Sequence, residues 1–188
     1  MNLTLQASAL STAFHFPVKS YLKETNYPLM KIHIDGYQNH LNFSAAHFIP
    51  SIEKCSRLHG HDYAVSVDIE GDPVDGIIVD YGVVKGEVRR IIEPMDHRVL
   101  IPRDGGQSHS ITSGQEVSVK FNGKSYVFPV SDVYFLDSEV SSSEALSQII
   151  AGMLRDSLNV AGNVRTITVT IFEGPGNSTS FSESLNAR

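Results

Sequence analysis

Residues 61–70 read HDYAVSVDIE, and their reading decides the fold. Tyr63, Val65, Val67 and Ile69 fall at every second position with polar or small residues between them, the period of a half-buried strand. A second run, RTITVTIFE at 165–173, alternates as strictly, with Ile167, Val169 and Ile171 in one phase. Upstream, Ile32 and Ile34 alternate, Asp35-Gly36 interrupts, and Tyr37, Leu41, Phe43, Ala45 and His47 resume on odd positions. A strand with a bulge at the glycine accounts for that change of phase, and Pro50 ends it.

Two helices are predicted between the outer strands. Asp80 is placed to cap a helix over roughly 82–93, with Val84, Val88, Ile91 and Ile92 inward and Pro94 as the stop. Ile77-Ile78-Val79, ahead of it, reads as a short strand or an approach. Ser141 and Glu144 fit a capping box. Behind them Leu146, Ile149, Ile150, Met153, Leu154 and Leu158 recur at helical spacing. Between the helices, EVSVKF and KSYVF flank Asn122-Gly123, a pair that favours a type I′ hairpin turn. Strands and helices do not alternate as in a doubly wound sheet. The pattern predicts an α+β domain with helices on one face of an antiparallel sheet.

The chain has 188 residues, room for one domain with a proper core. Residues 1–29 show no clean period and read as an N-terminal extension; 30–188 read as a single domain with a hairpin insertion at about 102–137. The net charge is −6 and no basic cluster exceeds Arg89-Arg90, which argues against nucleic-acid binding. No apolar run approaches the ~20 residues a membrane span needs, and the first residues lack the basic start of a secretory signal. The single cysteine cannot form an internal disulfide and suits a reducing compartment, so a cytoplasmic location is expected.

Chemistry concentrates at strand ends. His59 and His61 share the parity of Tyr63 and Val65, and His47 extends the Phe43–Ala45 face. Three imidazoles at the ends of neighbouring strands suit zinc and leave a fourth position open, the mark of a catalytic site. Ordinary hydrogen-bonded histidines are the alternative. Cys55 admits three readings: a fourth ligand closing the site, a reactive thiol beside the metal, or an inert small hydrophobe. Asp96-His97 follows Pro94 and could relay protons, although neighbouring side chains do not easily bond to each other. Glu173 continues the Ile167–Ile171 face. A carboxylate there needs a partner, such as the paired N–H donors of a guanidine-like edge, unless the strand has ended and it is solvated.

FSAAH (43–47), C-x3-HGH (55–61), GIIVDYGVVK (76–85), MDHRVL (95–100), SSSEAL (141–146) and VTIFE (169–173) occur in this order. Together they resemble the 6-pyruvoyltetrahydropterin synthase / 6-carboxytetrahydropterin synthase family, over roughly 30–101 and 138–178. The resemblance implies the tunnelling fold, an antiparallel sheet with two helices on one side. Sheets of several subunits join into a barrel, and trimers stack into a homohexamer with active sites between subunits.

By the same resemblance His47, His59 and His61 match the Zn2+ ligands and Cys55 the catalytic cysteine. Asp96 and His97 match a proton relay completed across a subunit boundary, and Glu173 matches the glutamate that anchors the pterin. The implied substrate is 7,8-dihydroneopterin triphosphate. The short C-x3-HGH spacing resembles the branch that releases acetaldehyde and triphosphate to give 6-carboxy-5,6,7,8-tetrahydropterin, on the 7-deazaguanine (queuosine and archaeosine) route. The alternatives are the pyruvoyl branch and a non-catalytic zinc or pterin-binding paralogue. A third branch, with glutamate in place of the cysteine, is disfavoured by Cys55, although Glu53 is near. Two features depart from the family pattern: the N-terminal 30 residues together with the 102–137 hairpin, and Gly174 where threonine commonly follows the glutamate.

Overall fold

One long strand organises the molecule. The computed structural model describes residues 30–103, 108–158 and 162–185; the N-terminal extension 1–29 lies outside the described residues. β3 (His59–Gly71) carries Val65, Val67 and Ile69, all fully buried on one face. β1 (Met30–Ile34) and β2 (Asn42–His47) both pair antiparallel with the same edge of β3, Ile34 opposite Val67 and Asn42 opposite Ala64. The bulge expected at Gly36 is therefore a whole turn, residues 35–41, set against Val65 and Ser66. The Gly36 N–H donates to Ser66 Oγ at 2.9 Å and the Leu41 carbonyl accepts from Val65 N–H at 2.8 Å. Glycine is needed there because a Cβ would lie 2.7 Å from the Val65 carbonyl group.

On the other edge of β3 lies β9 (Val164–Glu173), antiparallel, followed by β10 (Ser178–Ser184). Beyond β2 the sheet continues through β4 (Arg98–Pro102) and β8 (Val133–Leu136), giving the order β10-β9-β3-β2-β4-β8 with β1 beside β3. Here the expectation of an antiparallel sheet is refined. β4 runs parallel to β2, and β8 parallel to β4, so the sheet is mixed. Parallel neighbours need a crossover, and the helix after β3 supplies the first one.

That helix, α1 (Tyr81–Ile92), is capped by Asp80, whose carboxylate accepts from the Gly82 and Val83 N–H groups. Val84, Val88, Ile91 and Ile92 are buried, as their spacing predicts. Residues 77–79 form no strand; only Val74 and Ile77 bridge. α2 (Ser143–Leu158) begins one residue later than the capping-box reading. Ser142 Oγ accepts from Ala145 N–H at 3.4 Å, while the Ser141 hydroxyl donates to the Phe48 carbonyl. Leu146, Ile150, Leu154 and Leu158 face the sheet, whereas Met153 is 39% exposed. Ala151 and Ser147 occupy the inward positions instead, so the buried stripe runs closer to the i+4 row than the hydrophobic residues alone suggested.

The segment between β4 and β8 folds on itself. β6 (Glu116–Phe121) and β7 (Lys124–Pro129) form the expected hairpin, with φ of 46° at Asn122 and 74° at Gly123, the signature of a type I′ turn. β5 (His109–Ser113), absent from the sequence reading, adds a third strand against β6. Val117, Val119 and Phe121 close a second small core with Phe48, Ile101 and Val133. Among the described residues no helix is long and apolar enough to cross a membrane.

Candidate metal and pterin site

The covered face of the sheet changes character at one end. β2 and β3 are apolar along their length and end in His47, His59 and His61, with His47 directly opposite His59 and His61 opposite Ala45. One nitrogen from each of the three rings falls within 4.8 Å of the other two. His47 is 1% exposed. Its Nδ1–H donates to the Ser141 carbonyl at 2.6 Å, which leaves Nε2 as a bare lone pair, buried and without a hydrogen-bond partner among the described residues. His59 is oriented in the same way by the Arg57 carbonyl, 2.7 Å from its Nδ1. Burial, opposed by the Ser141 bond and assisted by the two neighbouring imidazoles, holds His47 down at about 4. A neutral imidazole with its far nitrogen fixed by a carbonyl is the state in which histidine ligates metals. The donor set fits a zinc-type ion with an open fourth position.

Cys55 is half-buried in the loop between β2 and β3, and its sulfur is not part of the converging set. Its carbonyl accepts from the Ile49 N–H at 2.7 Å and so closes the loop on itself. Glu173, half-buried at the end of β9, lies opposite Tyr63 in register. The chain turns away immediately afterwards at Gly174, whose φ of +73° favours glycine over threonine.

Tyr63 is the residue that sequence reading passed over. It is fully buried and stacked on Phe43, with its ring edge-on to His61 and His47, centroids 5.6 and 6.1 Å away. Its hydroxyl has no partner among the described residues. Burial and then the Glu173 carboxylate push its ionisation upward, so it stays a donor. Its parity with His61 was visible in the sequence; the orphaned hydroxyl was not.

Asp96 and His97 sit at the start of β4, and here the structure corrects an expectation: the adjacent side chains do meet. His97 Nδ1 lies 2.8 Å from Asp96 Oδ2. The left-handed φ of 58° at His97 folds the two side chains together, and the His97 N–H donates to the Ser44 carbonyl at 2.7 Å. Asp96 Oδ1 accepts from Ser44 N–H at 2.8 Å. Desolvation opposes ionisation of Asp96, but the Ser44 N–H and His97 outweigh it and hold the carboxyl below its ordinary value. The His97 side chain is 83% exposed and lines a cavity of about 440 Å³ with Ser44, Gly60, His61, Asp62 and Arg98. Ser44, Gly60 and Asp62 alternate with the histidines and Tyr63 along β2 and β3. The exposed His97 side chain thus reaches the side of the sheet that carries Ser44 and Asp62, while Asp96 also lines a depression with Phe43 and Ile92.

Comparisons with known proteins bear on the family and the fold. Residues 37–184 match the family described as 6-pyruvoyl tetrahydropterin synthase. A putative 6-carboxy-5,6,7,8-tetrahydropterin synthase of Methanocaldococcus jannaschii is 27% identical over 163 residues, 85% of this chain and all of that protein. A second of the same description, from Pyrococcus abyssi, is 32% identical over 139 residues, 71% of this chain and 80% of the relative. The solved 6-pyruvoyl tetrahydropterin synthase of Plasmodium vivax superposes with a TM-score of 0.78 at 22% identity, over 84% of this chain and 99% of that one, and so shares its fold. On the strength of the match over residues 37–184, the chain belongs to the 6-pyruvoyl tetrahydropterin synthase family.

Proposed function

We propose that this protein is a zinc-dependent lyase that converts 7,8-dihydroneopterin triphosphate to 6-carboxy-5,6,7,8-tetrahydropterin, releasing acetaldehyde and triphosphate, in the cytoplasmic 7-deazaguanine route. The observation that carries this reading is the convergence of three imidazoles, two of them oriented by backbone carbonyls, at the end of an apolar sheet face, with Tyr63 and Glu173 beside them. The carboxy product is supported by the description shared by the archaeal relatives and by the three-residue gap between Cys55 and His59.

Each residue has a distinct task. His47, His59 and His61 hold the metal, which when bound acts as a Lewis acid on the hydroxyls of the substrate side chain. Glu173 accepts two N–H donors from the amino-pyrimidine edge of the pterin, a bidentate contact of the charge-assisted kind. The Tyr63 hydroxyl donates into the same pocket and satisfies its own unmet bond. Cys55 takes a proton from the substrate side chain. Asp96 orients His97 through the Nδ1 contact, leaving Nε2 to move a proton.

The Asp96–His97 pair acts on the site of a neighbouring copy, a reading supported by the exposed His97 side chain, which lies beside Ser44 and Asp62, residues that alternate with the histidines along β2 and β3. Joining the sheets of several copies into a barrel, in a homohexamer, brings the two halves into one site. The pyruvoyl branch is the second reading, supported by the description of the family matched over residues 37–184.

The test is a mass-spectrometric product assay of the zinc-loaded protein with 7,8-dihydroneopterin triphosphate. Carboxytetrahydropterin together with acetaldehyde is expected. Pyruvoyltetrahydropterin with triphosphate alone moves the protein to the other branch. No turnover, with zinc bound and the thiol intact, refutes the enzymatic reading.

A further inference from the structure

The loop that carries Cys55 is weakly anchored by its own residues. It is a set of tight turns: Ile49 N–H to the Cys55 carbonyl, Ser56 N–H to the Ile52 carbonyl, and Arg57 N–H to the Lys54 carbonyl. Its apolar side chains do not pin it to the main core, since Ile52 is 50% and Leu58 38% exposed. Ser56, next to Cys55, is nonetheless buried.

The inserted sheet reaches this loop at three points. Phe48, at the loop's start, stacks on Phe121 of β6 with centroids 4.5 Å apart. Asn122, in the hairpin turn, donates from Nδ2 to the Pro50 carbonyl at 2.8 Å. Lys124, the first residue of β7, donates from Nζ to both the carbonyl and the hydroxyl of Ser56, at 2.7 and 2.8 Å. The Ser56 hydroxyl passes its own proton to the Glu53 carbonyl. The ammonium also lies 5.6 Å from the Phe121 ring centroid. One turn of the insertion thus holds the beginning of the loop and the residue after the cysteine.

We propose that the three-stranded sheet β5–β7 is the positioning element of the Cys55 loop, with Lys124 as its latch. This rests on Cys55 being the proton acceptor of the proposed reaction. A thiol that must meet one C–H bond of a bound substrate has to be held in place, and a displacement of about 1 Å can cost on the order of a hundredfold in rate. The contacts come from the inserted sheet and reach neither the three histidines nor Glu173, so they act on the thiol without touching metal or pterin.

The test is amide hydrogen exchange over residues 49–57, measured beside steady-state kinetics, on the full zinc-loaded chain carrying Lys124→Met. Exchange in that window is expected to rise about tenfold or more, with unchanged zinc content. In the same variant kcat falls by roughly ten- to a hundredfold while KM moves less than about twofold. Lys124→Arg, which keeps a donor for Ser56, recovers most of both. Asn122→Asp removes the donor to Pro50 but tolerates the left-handed backbone. It is expected to shift exchange the same way by a smaller factor, and serves if Lys124→Met does not fold. Wild-type exchange over 49–57 in these variants overturns the proposal, as does faster exchange with an unaltered kcat. If the native protein makes no pterin product, the proposed reaction fails, and the exchange data alone decide whether the insertion holds the loop.

Discussion

The two faces of the central sheet are built from alternate residues of the same strands, yet they differ in kind. On the covered face Val65, Val67, Ile69, Ile167, Val169 and Ile171 are completely buried under α1 and α2. On the open face the neighbours of those residues are Asp68, Glu70, Thr168 and Thr170. They form hydrogen bonds across the strands, Thr168 to Ser182 and Thr170 to Ser180, each at 2.8 Å. His33 and Lys31 pair there with Asp68. The covered face stabilises the protomer. The open face is already satisfied by its own polar groups and contributes little to folding. The three converging imidazoles sit where the covered face runs out.

Effects on the site come first, because they are largest. Cys55→Ala is expected to lower kcat by roughly 10²–10⁴-fold, the range for loss of a general base, while zinc content measured by atomic emission stays at the wild-type level. Loss of zinc in that variant would make Cys55 a ligand. His61→Ala should instead abolish stoichiometric zinc, since removing one of three protein ligands leaves an inadequate set. Retention of zinc would break the assignment of the metal to the covered face.

Packing separates the faces next. Ile150→Ala on α2 removes a fully buried side chain and is expected to cost about 2–5 kcal/mol in denaturant unfolding. Thr168→Ala on the open face should stay within about 0.5 kcal/mol. Equal costs would contradict the division of labour between the faces.

Acid should affect the metal-free protein through His47. Its folded pKa, about 4, lies below the ordinary 6.5. The unfolded chain therefore binds the proton first. Stability contributed by the neutral, buried ring is complete above about pH 6.5 and is lost as the pH falls toward 4. Urea midpoints of the apo protein across that window check the sign; His47→Gln should flatten the slope.

Much of this was legible in the sequence because it rests on periodicity. The period of two in Tyr63–Ile69 and Ile167–Ile171 placed both central strands, and with Phe43–Ala45 it placed the parity of all three histidines. Asp80 and the α1 stripe were equally plain. What the sequence did not carry were relations between distant segments. The parallel entry of β4 beside β2 depends on where α1 delivers the chain, and no local pattern records that. Ser141 looked like a helix cap, but its carbonyl and hydroxyl are spent on His47 and Phe48. Asp96 and His97 meet because of one left-handed residue, a torsion that nothing in MDHRVL announces. β5 lacked the clean alternation of β6 and β7, and Lys124 gave no sign that it would reach the residue beside Cys55.

The claim that joins these observations is that one active site takes its metal and thiol from the covered face of one copy and its Asp–His pair from the open face of another. Co-expression of Cys55→Ala and His97→Ala chains under separate affinity tags, followed by purification on both tags, tests it directly. Each parent should be inactive. Random pairing of two chains in a symmetric oligomer leaves about a quarter of sites with both intact groups, so the mixed protein is expected to regain about that share of wild-type turnover. A mixed oligomer as inactive as its parents would contradict the account and return both groups to a single chain.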